Sequence, residues 1–206
     1  MKLYYATGTC SLAPHIALRE AGLSVTLVRY DMKAAKLEDG GSLLDANDKG
    51  LVPVLELDDG ERLTEVAAVL QYIADQKPAL GLAPAAGTMA RYRLQEWLNF
   101  LATEIHKIYW PLFHDGADVE NQKAKEKLAH SFTWVEKKLG EGPHLMGDTF
   151  TVADAYLFTV LNWARPAGID LERWPKLAAY RKRLRERPSV TAALEAEGLL
   201  KPEKSR

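Results

Sequence analysis

Residues 3–14 read Leu3-Tyr-Tyr-Ala-Thr-Gly-Thr-Cys-Ser-Leu-Ala-Pro14. The apolar start of this stretch, at 3–6, predicts a short strand because it is rich in strand-forming residues. Pro14 suits the first turn of a following helix, and Gly22 is well placed just beyond the end of that helix. The stretch therefore predicts a strand, a short loop and a helix, with Cys10 in the loop.

The rest of the region up to residue 78 continues this alternation. Its predicted elements are a strand at 25–28, a weaker helix at 33–44, a strand at 54–57, a turn at 58–60, a return strand at 62–63 and a helix at 65–75. The order βαβαββα is typical of a thioredoxin-like layer, although the pattern alone leaves the order of the strands in the sheet open.

Beyond residue 78 the sequence changes character. Residues 79–87 are rich in proline, alanine and glycine and indicate a linker. The predicted elements after it are helices at 88–114 (bent at Pro111), 121–139, 151–164, 174–185 and 189–196, and a polar tail at 201–206 that is expected to fray. We therefore predict an α/β domain at 1–78 and an all-α domain, a helical bundle, at 88–206.

One helix start in the second domain carries a recognisable signal. Thr151-Val-Ala-Asp154 resembles a capping box, in which Thr151 accepts a hydrogen bond from the backbone near Asp154 and the Asp154 side chain reaches back. We interpret this motif as a folding signal rather than as part of a site.

The composition argues against several classes of function. The 206 residues include 27 Lys and Arg and 28 Asp and Glu, for a formal net charge of −1, so nothing favours a polyanionic partner. No run approaches the ~18 apolar residues of a membrane helix, and the first residues do not resemble a signal peptide. A single cysteine excludes an intramolecular disulfide. We expect a cytoplasmic protein with no metal, nucleic-acid or membrane partner.

Cys10 is the first candidate for chemistry. At a helix start it lies near free backbone N–H groups and the positive end of the helix dipole, and both favour a thiolate. The same loop of a thioredoxin-like layer holds the thiol site. Ala13 stands three residues later, so there is no C-x-x-C pair and any disulfide exchange must use a thiol from outside. The alternative is a buried, inert cysteine.

Two further segments have both a functional and a structural interpretation. Pro53 precedes a strand, and thioredoxin-like proteins commonly have a cis proline at this place. A cis bond would let the backbone of Val52 pair with an extended peptide. An ordinary trans proline at a strand start is equally compatible with the sequence. Glu65 and Val66 open a helix, whose N–H groups could bind a carboxylate while Glu65 binds an ammonium group. Simple helix capping is the alternative for this pair.

The long predicted helix also offers a polar face. Asn99, Thr103, His106 and Trp110 are spaced 4, 3 and 4 residues apart, so they share one side of an α-helix and could border a cleft. A solvated or interface surface is the alternative. The histidines to which we assign no catalytic role are His15, His114, His130 and His144.

Taken together, these segments resemble the cytosolic glutathione transferases of the bacterial beta class. The resemblance spans essentially the whole chain. The motifs that carry it are Thr9-Cys-Ser-Leu-Ala-Pro-His15, Lys49-Gly-Leu-Val-Pro-Val54, Leu63-Thr-Glu65, Glu96-Trp-Leu-Asn99, Glu104-Ile-His106 and Phe150-Thr-Val-Ala-Asp-Ala-Tyr-Leu-Phe-Thr-Val160. The resemblance implies a homodimer that takes glutathione as co-substrate and transfers its thiolate to a hydrophobic electrophile, as in detoxification.

The resemblance also implies roles for individual residues. Cys10 and His106 would be catalytic, with Cys10 either donating a hydrogen bond to the glutathione sulfur or forming a mixed disulfide with it. The residues implied to bind glutathione are Cys10, Lys36, Val52, Pro53, Glu65, Val66, Asn99, Thr103, Glu104 and His106, some of them from the partner subunit. Trp110 and Phe113 would border the electrophile pocket.

The chain departs from the family pattern at three positions. Members often have Gly or Ser at the place of Val66, Pro at the place of Asp48, and Lys at the place of Ala35, for which Lys36 is the nearer substitute. Two other functions remain open at this stage: a non-catalytic carrier of hydrophobic compounds and a glutathione-dependent dehalogenase of aromatic degradation.

Overall fold

A computed structural model describes residues 1–140 and 142–200. The first part of the chain forms a five-stranded mixed sheet and three helices. Its strands are β1 (Lys2–Tyr5), β2 (Thr26–Asp31), β3 (Lys36–Leu37), β4 (Val54–Glu56) and β5 (Arg62–Thr64), and its helices are α1 (Leu12–Glu20), α2 (Leu43–Ala46) and α3 (Val66–Asp75). The strands lie in the order β3-β2-β1-β4-β5, with β1 parallel to β2 and antiparallel to β4.

The sheet is centred on β1, the strand that leads to Cys10. Leu3 pairs with Leu55 on β4, and both side chains are fully buried. Removal of such apolar side chains from water is the main stabilising contribution to a core of this kind. α1 packs against α3 of the same half and against two helices of the second half, so the loop before α1 lies where the two halves meet.

The second part of the chain is helical wherever it has regular secondary structure within the described residues. Its α-helices are α4 (Met89–Phe100), α5 (Trp110–Phe113), α6 (Asp118–Leu139), α7 (Val152–Leu161), α8 (Pro175–Arg185) and α9 (Pro188–Ala196). Every residue of α7 is buried, so this helix is the centre of the helical half. α1 packs on α7 and α9.

The buried carboxylate of Asp154 ties several parts of the helical half together. It accepts hydrogen bonds from the N–H groups of Thr151 and Leu145, each at 2.8 Å, and from the Tyr180 hydroxyl at 2.6 Å. The Thr151 hydroxyl also donates to Asp154, at 2.9 Å. The predicted reach of Asp154 back to the start of α7 is therefore observed, together with two partners that local sequence does not reveal.

The predicted long helix at 88–114 is helical from Met89 to Phe113, but the type of helix changes along its length. Thr88 caps α4 by accepting a hydrogen bond from Arg91 N–H at 3.2 Å. α4 is followed by a π-helical segment at Leu101–His106 and a 3₁₀ turn at Lys107–Tyr109 before α5. The change in hydrogen-bonding pattern therefore begins ten residues before Pro111, where the sequence places the bend.

The predicted helix at 33–44 is wrong over most of its length. A turn leads into β3, which pairs antiparallel to β2 through Tyr30 and Leu37, and only Leu43–Ala46 is helical. The Asp31 side chain stabilises the turn by accepting hydrogen bonds from the N–H groups of Lys33 and Ala34, at 2.9 and 3.0 Å. Pairing at the sheet edge and this side-chain cap override weak helical propensity.

The predicted fold class is confirmed: a thioredoxin-like mixed sheet with helices is followed by a helical domain. The boundaries at 1–78, 79–87 and 88–206 stay a prediction, and the predicted tail at 201–206 lies outside the described residues. Among the described helices, none combines the length and the apolar character needed to cross a membrane.

Candidate active site

Cys10 lies in the loop between β1 and α1, as the sequence predicts. Its side chain is buried, and its Sγ lies 3.3 Å from the carbonyl oxygen of Val52, to which the thiol donates. The fully buried Ser11 stabilises the loop, because its Oγ accepts a hydrogen bond from Ala6 N–H at 3.1 Å. The thiol thus points toward the segment that immediately precedes β4.

The environment of Cys10 favours the thiol over the thiolate. Burial raises the pKa of Cys10 to about 12, and the negative charge of Glu65 adds to the rise. The backbone N–H groups of Cys10 and Ser11 lower the pKa, as the helix-start argument anticipates, but their effect is smaller than that of burial. Burial therefore opposes the effect of the helix start, and the choice between the two roles of Cys10 stays a prediction.

The loop is held from the helical half of the molecule by two contacts to Gly8. The indole N–H of Trp163 donates to the Gly8 carbonyl at 2.8 Å, and the Glu197 carboxylate accepts from the Gly8 N–H at 2.9 Å. Glu197 also contacts Nδ1 of His15 at 2.9 Å, and both of these side chains are fully buried. Gly8 has a φ of +71°, a conformation that other residues adopt only with strain.

Val52 and Pro53 lie opposite Cys10. The peptide bond between them is cis, which selects one of the two alternatives that the sequence leaves open. The loop before them is fixed by Asn47, whose side-chain amide donates to the Leu51 carbonyl at 2.7 Å. This arrangement presents the Val52 backbone to the space beside Cys10.

Glu65 stands at the start of α3 in an unusual conformation. Its φ is +66°, and its side chain is largely exposed. Positive φ is rare for residues other than glycine and is often found at functional sites. The carboxylate pairs with Lys49 Nζ at 2.6 Å, and the same ammonium group contacts the Thr64 hydroxyl at 2.8 Å. Val66 follows as the buried first residue of the helix, where N–H groups lack intrahelical acceptors.

Lys49 is a candidate that sequence reasoning missed. It belongs to the motif that contains Val52 and Pro53, but its position along the chain does not reveal that it would reach Glu65, 16 residues away. Lys36, which the family resemblance implies as a glutathione ligand, lies exposed on the edge strand β3. Among the described residues no ion pair to Lys36 is found, so its role stays a prediction.

His106 is turned into the molecule, where aromatic residues surround it. Its Nδ1 lies 2.7 Å from the hydroxyl of Tyr156, and the ring of Trp163 packs edge-on at a centroid distance of 4.9 Å. Burial lowers the pKa of His106 to about 4, and the charge of Lys107 lowers it further. The imidazole is therefore neutral at physiological pH.

The predicted polar face of the long helix is not a single face. Asn99, Thr103 and Trp110 are exposed, whereas His106 points inward to Tyr156. The π-helical segment between them changes the number of residues per turn, so the α-helical spacing no longer holds. Glu104 is also exposed on this segment.

The two residues predicted for the electrophile pocket have different neighbours. Phe113 stacks on Tyr109 with ring centroids 5.7 Å apart and meets the edge of Trp163 at 6.2 Å, so it joins the cluster around His106. Trp110 instead stacks on His114 at 3.6 Å. Trp163 is a site residue that the sequence does not nominate, and it connects the Cys10 loop to this cluster.

Within residues 1–140 and 142–200, no three His, Cys, Asp or Glu side chains are grouped so that they could hold a metal ion. The chemistry available to the described residues is that of a buried thiol, a neutral imidazole and an exposed carboxylate near a helix N-terminus.

Comparison with known proteins identifies the family. Two family models match, for the N-terminal domain of glutathione S-transferase at residues 7–76 and for its C-terminal domain at 117–183. Glutathione S-transferase GstA of Escherichia coli O157:H7 is 44% identical over 97% of this chain and 100% of its own length. The chain belongs to the glutathione S-transferase family.

Solved structures similar to this glutathione transferase agree with the beta-class resemblance. A bacterial beta class enzyme from Sphingomonas chungbukensis shares 47% identity with a TM-score of 0.93 and covers 97% of this chain and 100% of its own. A sphingomonad glutathione S-transferase solved in complex with glutathione matches with the same identity, TM-score and coverage. The predicted resemblance to beta-class glutathione transferases is confirmed, and the roles of individual site residues stay predictions.

Proposed function

We propose that this glutathione transferase binds glutathione beside Cys10 and transfers its thiolate to a hydrophobic electrophile. In the transfer a carbon–sulfur bond forms, the leaving group departs with its electron pair, and the thiol proton goes to solvent. The observation that carries the proposal is the position of Cys10: its buried thiol donates to the Val52 carbonyl, and the charge of Glu65 acts on both Cys10 and His106.

The binding mode follows from the groups around Cys10. The Val52 backbone would pair with the cysteinyl unit of glutathione, and Pro53 would shape that segment. Glu65 would bind the ammonium group of the γ-glutamyl end, and the N–H of Val66 would bind its carboxylate. A cysteinyl N–H that donates to the Val52 carbonyl would compete with the Cys10 thiol, which then becomes free to donate to the glutathione sulfur.

The remaining predicted contacts depend on a second copy of the chain. We propose a homodimer in which the exposed Asn99, Thr103 and Glu104 reach glutathione across the subunit boundary. Lys36 is proposed for the glycine carboxylate of glutathione. Size-exclusion chromatography with light scattering tests the proposed dimer. A monomeric mass for the active protein would exclude it.

The electrophile is proposed to lie near Phe113, because this side chain joins the aromatic cluster that contains His106. Trp110 is proposed to border the same pocket from its exposed position. We also propose a cytoplasmic location, supported by the single free cysteine.

Substitution of Cys10 tests the proposed role of its thiol. A hydrogen bond to a charged sulfur contributes about 1.5–3 kcal/mol, so Cys10→Ala should lower kcat/KM for conjugation of an activated aryl chloride about 10- to 100-fold. Cys10→Ser keeps a donor and should lose less. Both variants should lose exchange with a small disulfide, in which Cys10 itself would have to form the new sulfur–sulfur bond and release one thiolate.

The outcomes separate the roles of Cys10. If Cys10→Ala and Cys10→Ser both abolish conjugation while circular dichroism shows the native fold, the hydrogen-bond role is wrong. If the unmodified protein binds glutathione but conjugates no electrophile, a carrier function replaces the proposed one.

A further inference from the structure

Tyr156 is a buried residue of α7 that no argument from the sequence nominates. Its side chain is 1% exposed, and its hydroxyl lies 2.7 Å from Nδ1 of His106. A hydroxyl this deeply buried costs free energy unless it forms a hydrogen bond. The contact to His106 therefore constrains both partners, and it determines whether the other ring nitrogen, Nε2, carries the imidazole proton.

The protonation of the pair restricts the hydrogen bond to two arrangements. Burial lowers the pKa of His106 to about 4 and raises the pKa of Tyr156 above its ordinary value, so both groups are neutral near pH 7. Either the Tyr156 O–H donates to Nδ1, and Nε2 carries the imidazole proton, or Nδ1–H donates and the phenol proton needs another acceptor. Among the described residues, His106 Nδ1 is the acceptor found within hydrogen-bond distance of the Tyr156 hydroxyl.

The rest of the environment holds the His106 ring in place. Trp163 packs against it in a T-shaped arrangement with ring centroids 4.9 Å apart, and the indole N–H of Trp163 donates to the Gly8 carbonyl in the loop that carries Cys10. Within the described part of the chain, the charged or titratable groups that act on His106 are its chain neighbour Lys107, Glu65 and the hydrogen-bonded Tyr156. A flip of the ring about its Cβ–Cγ bond would put Cδ2 in the place of Nδ1 and break the contact to Tyr156.

We propose that Tyr156 is a positioning residue that holds His106 in the tautomer with the proton on Nε2. His106 then offers a hydrogen-bond donor to the reacting groups and cannot act as the base that removes the proton of the glutathione thiol. This inference rests on the proposed function for its catalytic meaning, but the tautomer itself is a property of the free protein. It gives His106 the same character as Cys10, a donor to negative charge on sulfur or on the leaving group.

The tautomer can be measured directly by NMR of protein labelled with ¹⁵N in its histidine rings. The His106 signals are assigned by their loss in His106→Asn. We expect Nε2 protonated and Nδ1 unprotonated in the unmodified protein near pH 7. In Tyr156→Phe we expect a mixture of tautomers, and kcat/KM should fall about 2- to 10-fold with little change in KM for glutathione.

Tyr109→Phe is the matched control. Tyr109 is also a buried tyrosine that packs on Trp163, at 5.5 Å, but among the described residues its hydroxyl has no hydrogen-bond partner. Its removal should leave the His106 tautomer unchanged. A proton on Nδ1 in the unmodified protein, or an unchanged tautomer in a folded Tyr156→Phe, would overturn the inference. If the Nε2–H tautomer is found but no conjugation occurs, the proposed function is wrong and the assignment to Tyr156 stands.

Discussion

The ionisation of Cys10 can be measured without another thiol in the signal, because Cys10 is the one cysteine in the chain. Iodoacetamide is a suitable probe, because it alkylates the thiolate and not the thiol. The structure predicts that the native protein reacts very slowly at neutral pH. A thiolate poised to attack disulfides would instead react quickly, so the reaction rate distinguishes the two roles of Cys10.

The expected decrease in the alkylation rate of Cys10 follows from the environment of its thiol. Burial raises the pKa of Cys10 from 9.0 to about 12. Each pKa unit changes the thiolate fraction about ten-fold, so native Cys10 should carry about a thousand-fold less thiolate at neutral pH than an exposed cysteine. The same difference affects folding. The unfolded chain loses its thiol proton first as the pH rises above 9, so the free energy of unfolding falls between about pH 9 and 12.

The assay is the alkylation rate from about pH 6 to 10, followed by intact mass, with the urea-unfolded protein as the reference for an unperturbed thiol. The native rate should rise about ten-fold per pH unit without a plateau in this range. Cys10→Ala serves as the blank for reaction at other nucleophiles. Glu65→Gln should react somewhat faster, because the charge of Glu65 raises the pKa of Cys10.

One result would refute this account of the site. A native rate that levels off below about pH 8 would mean that Cys10 is a thiolate at physiological pH. The influence of the helix start would then exceed that of burial, and the mixed-disulfide role of Cys10 would replace the hydrogen-bond role.

Two other predictions concern glutathione binding and folding. Glu65→Gln should raise KM for glutathione about 10- to 100-fold, because it removes a charge-assisted contact. Lys49→Met frees the Glu65 carboxylate and should not raise KM. Equal increases of KM in both variants would assign the binding role to Lys49. Asp154→Ala should lower the free energy of unfolding in urea by about 3–5 kcal/mol, because it leaves buried donors such as the Tyr180 hydroxyl without an acceptor. Asp154→Asn should cost less, and a loss below about 1 kcal/mol in Asp154→Ala would contradict the reasoning.

Local signals in the sequence predict most elements of the fold because each depends on residues that are close in the chain. Gly22 ends α1 with a φ of +62°, and Gly60 turns the β4–β5 hairpin with a φ of +89°. Thr88 caps α4. In each case the residue type favours a conformation that its neighbours also require, so the pattern and the structure agree.

The wrong element, the helix at 33–44, fails for a reason that the sequence does not display. Whether residues 36–37 become a strand depends on the edge of β2, which must be free to pair with them. The π-helical segment at Leu101–His106 is similarly invisible, because composition does not distinguish a π turn from an α turn. In both segments, local propensity allows two hydrogen-bonding patterns, and tertiary packing selects between them.

The candidate site was predictable only in part for the same reason. The sequence nominates Cys10, Val52, Glu65 and His106 one at a time, each from its own neighbours. What joins them are contacts over long separations, such as the bond from Trp163 to Gly8 across 155 residues. Charge at the site is also set by packing, since burial raises the pKa of Cys10 against the local effect of the helix start.

The protonation of the site has a consequence for the reaction it favours. Cys10 retains its proton because it is buried, and burial keeps His106 neutral. A thiol that keeps its proton is a poor nucleophile, so in this site the attacking sulfur is an external thiolate. Such a thiolate is stabilised by donors that carry no net charge. Conjugation to an electrophile uses a site of this kind directly, whereas thiol–disulfide exchange through Cys10 would first have to remove its proton at a pKa of about 12.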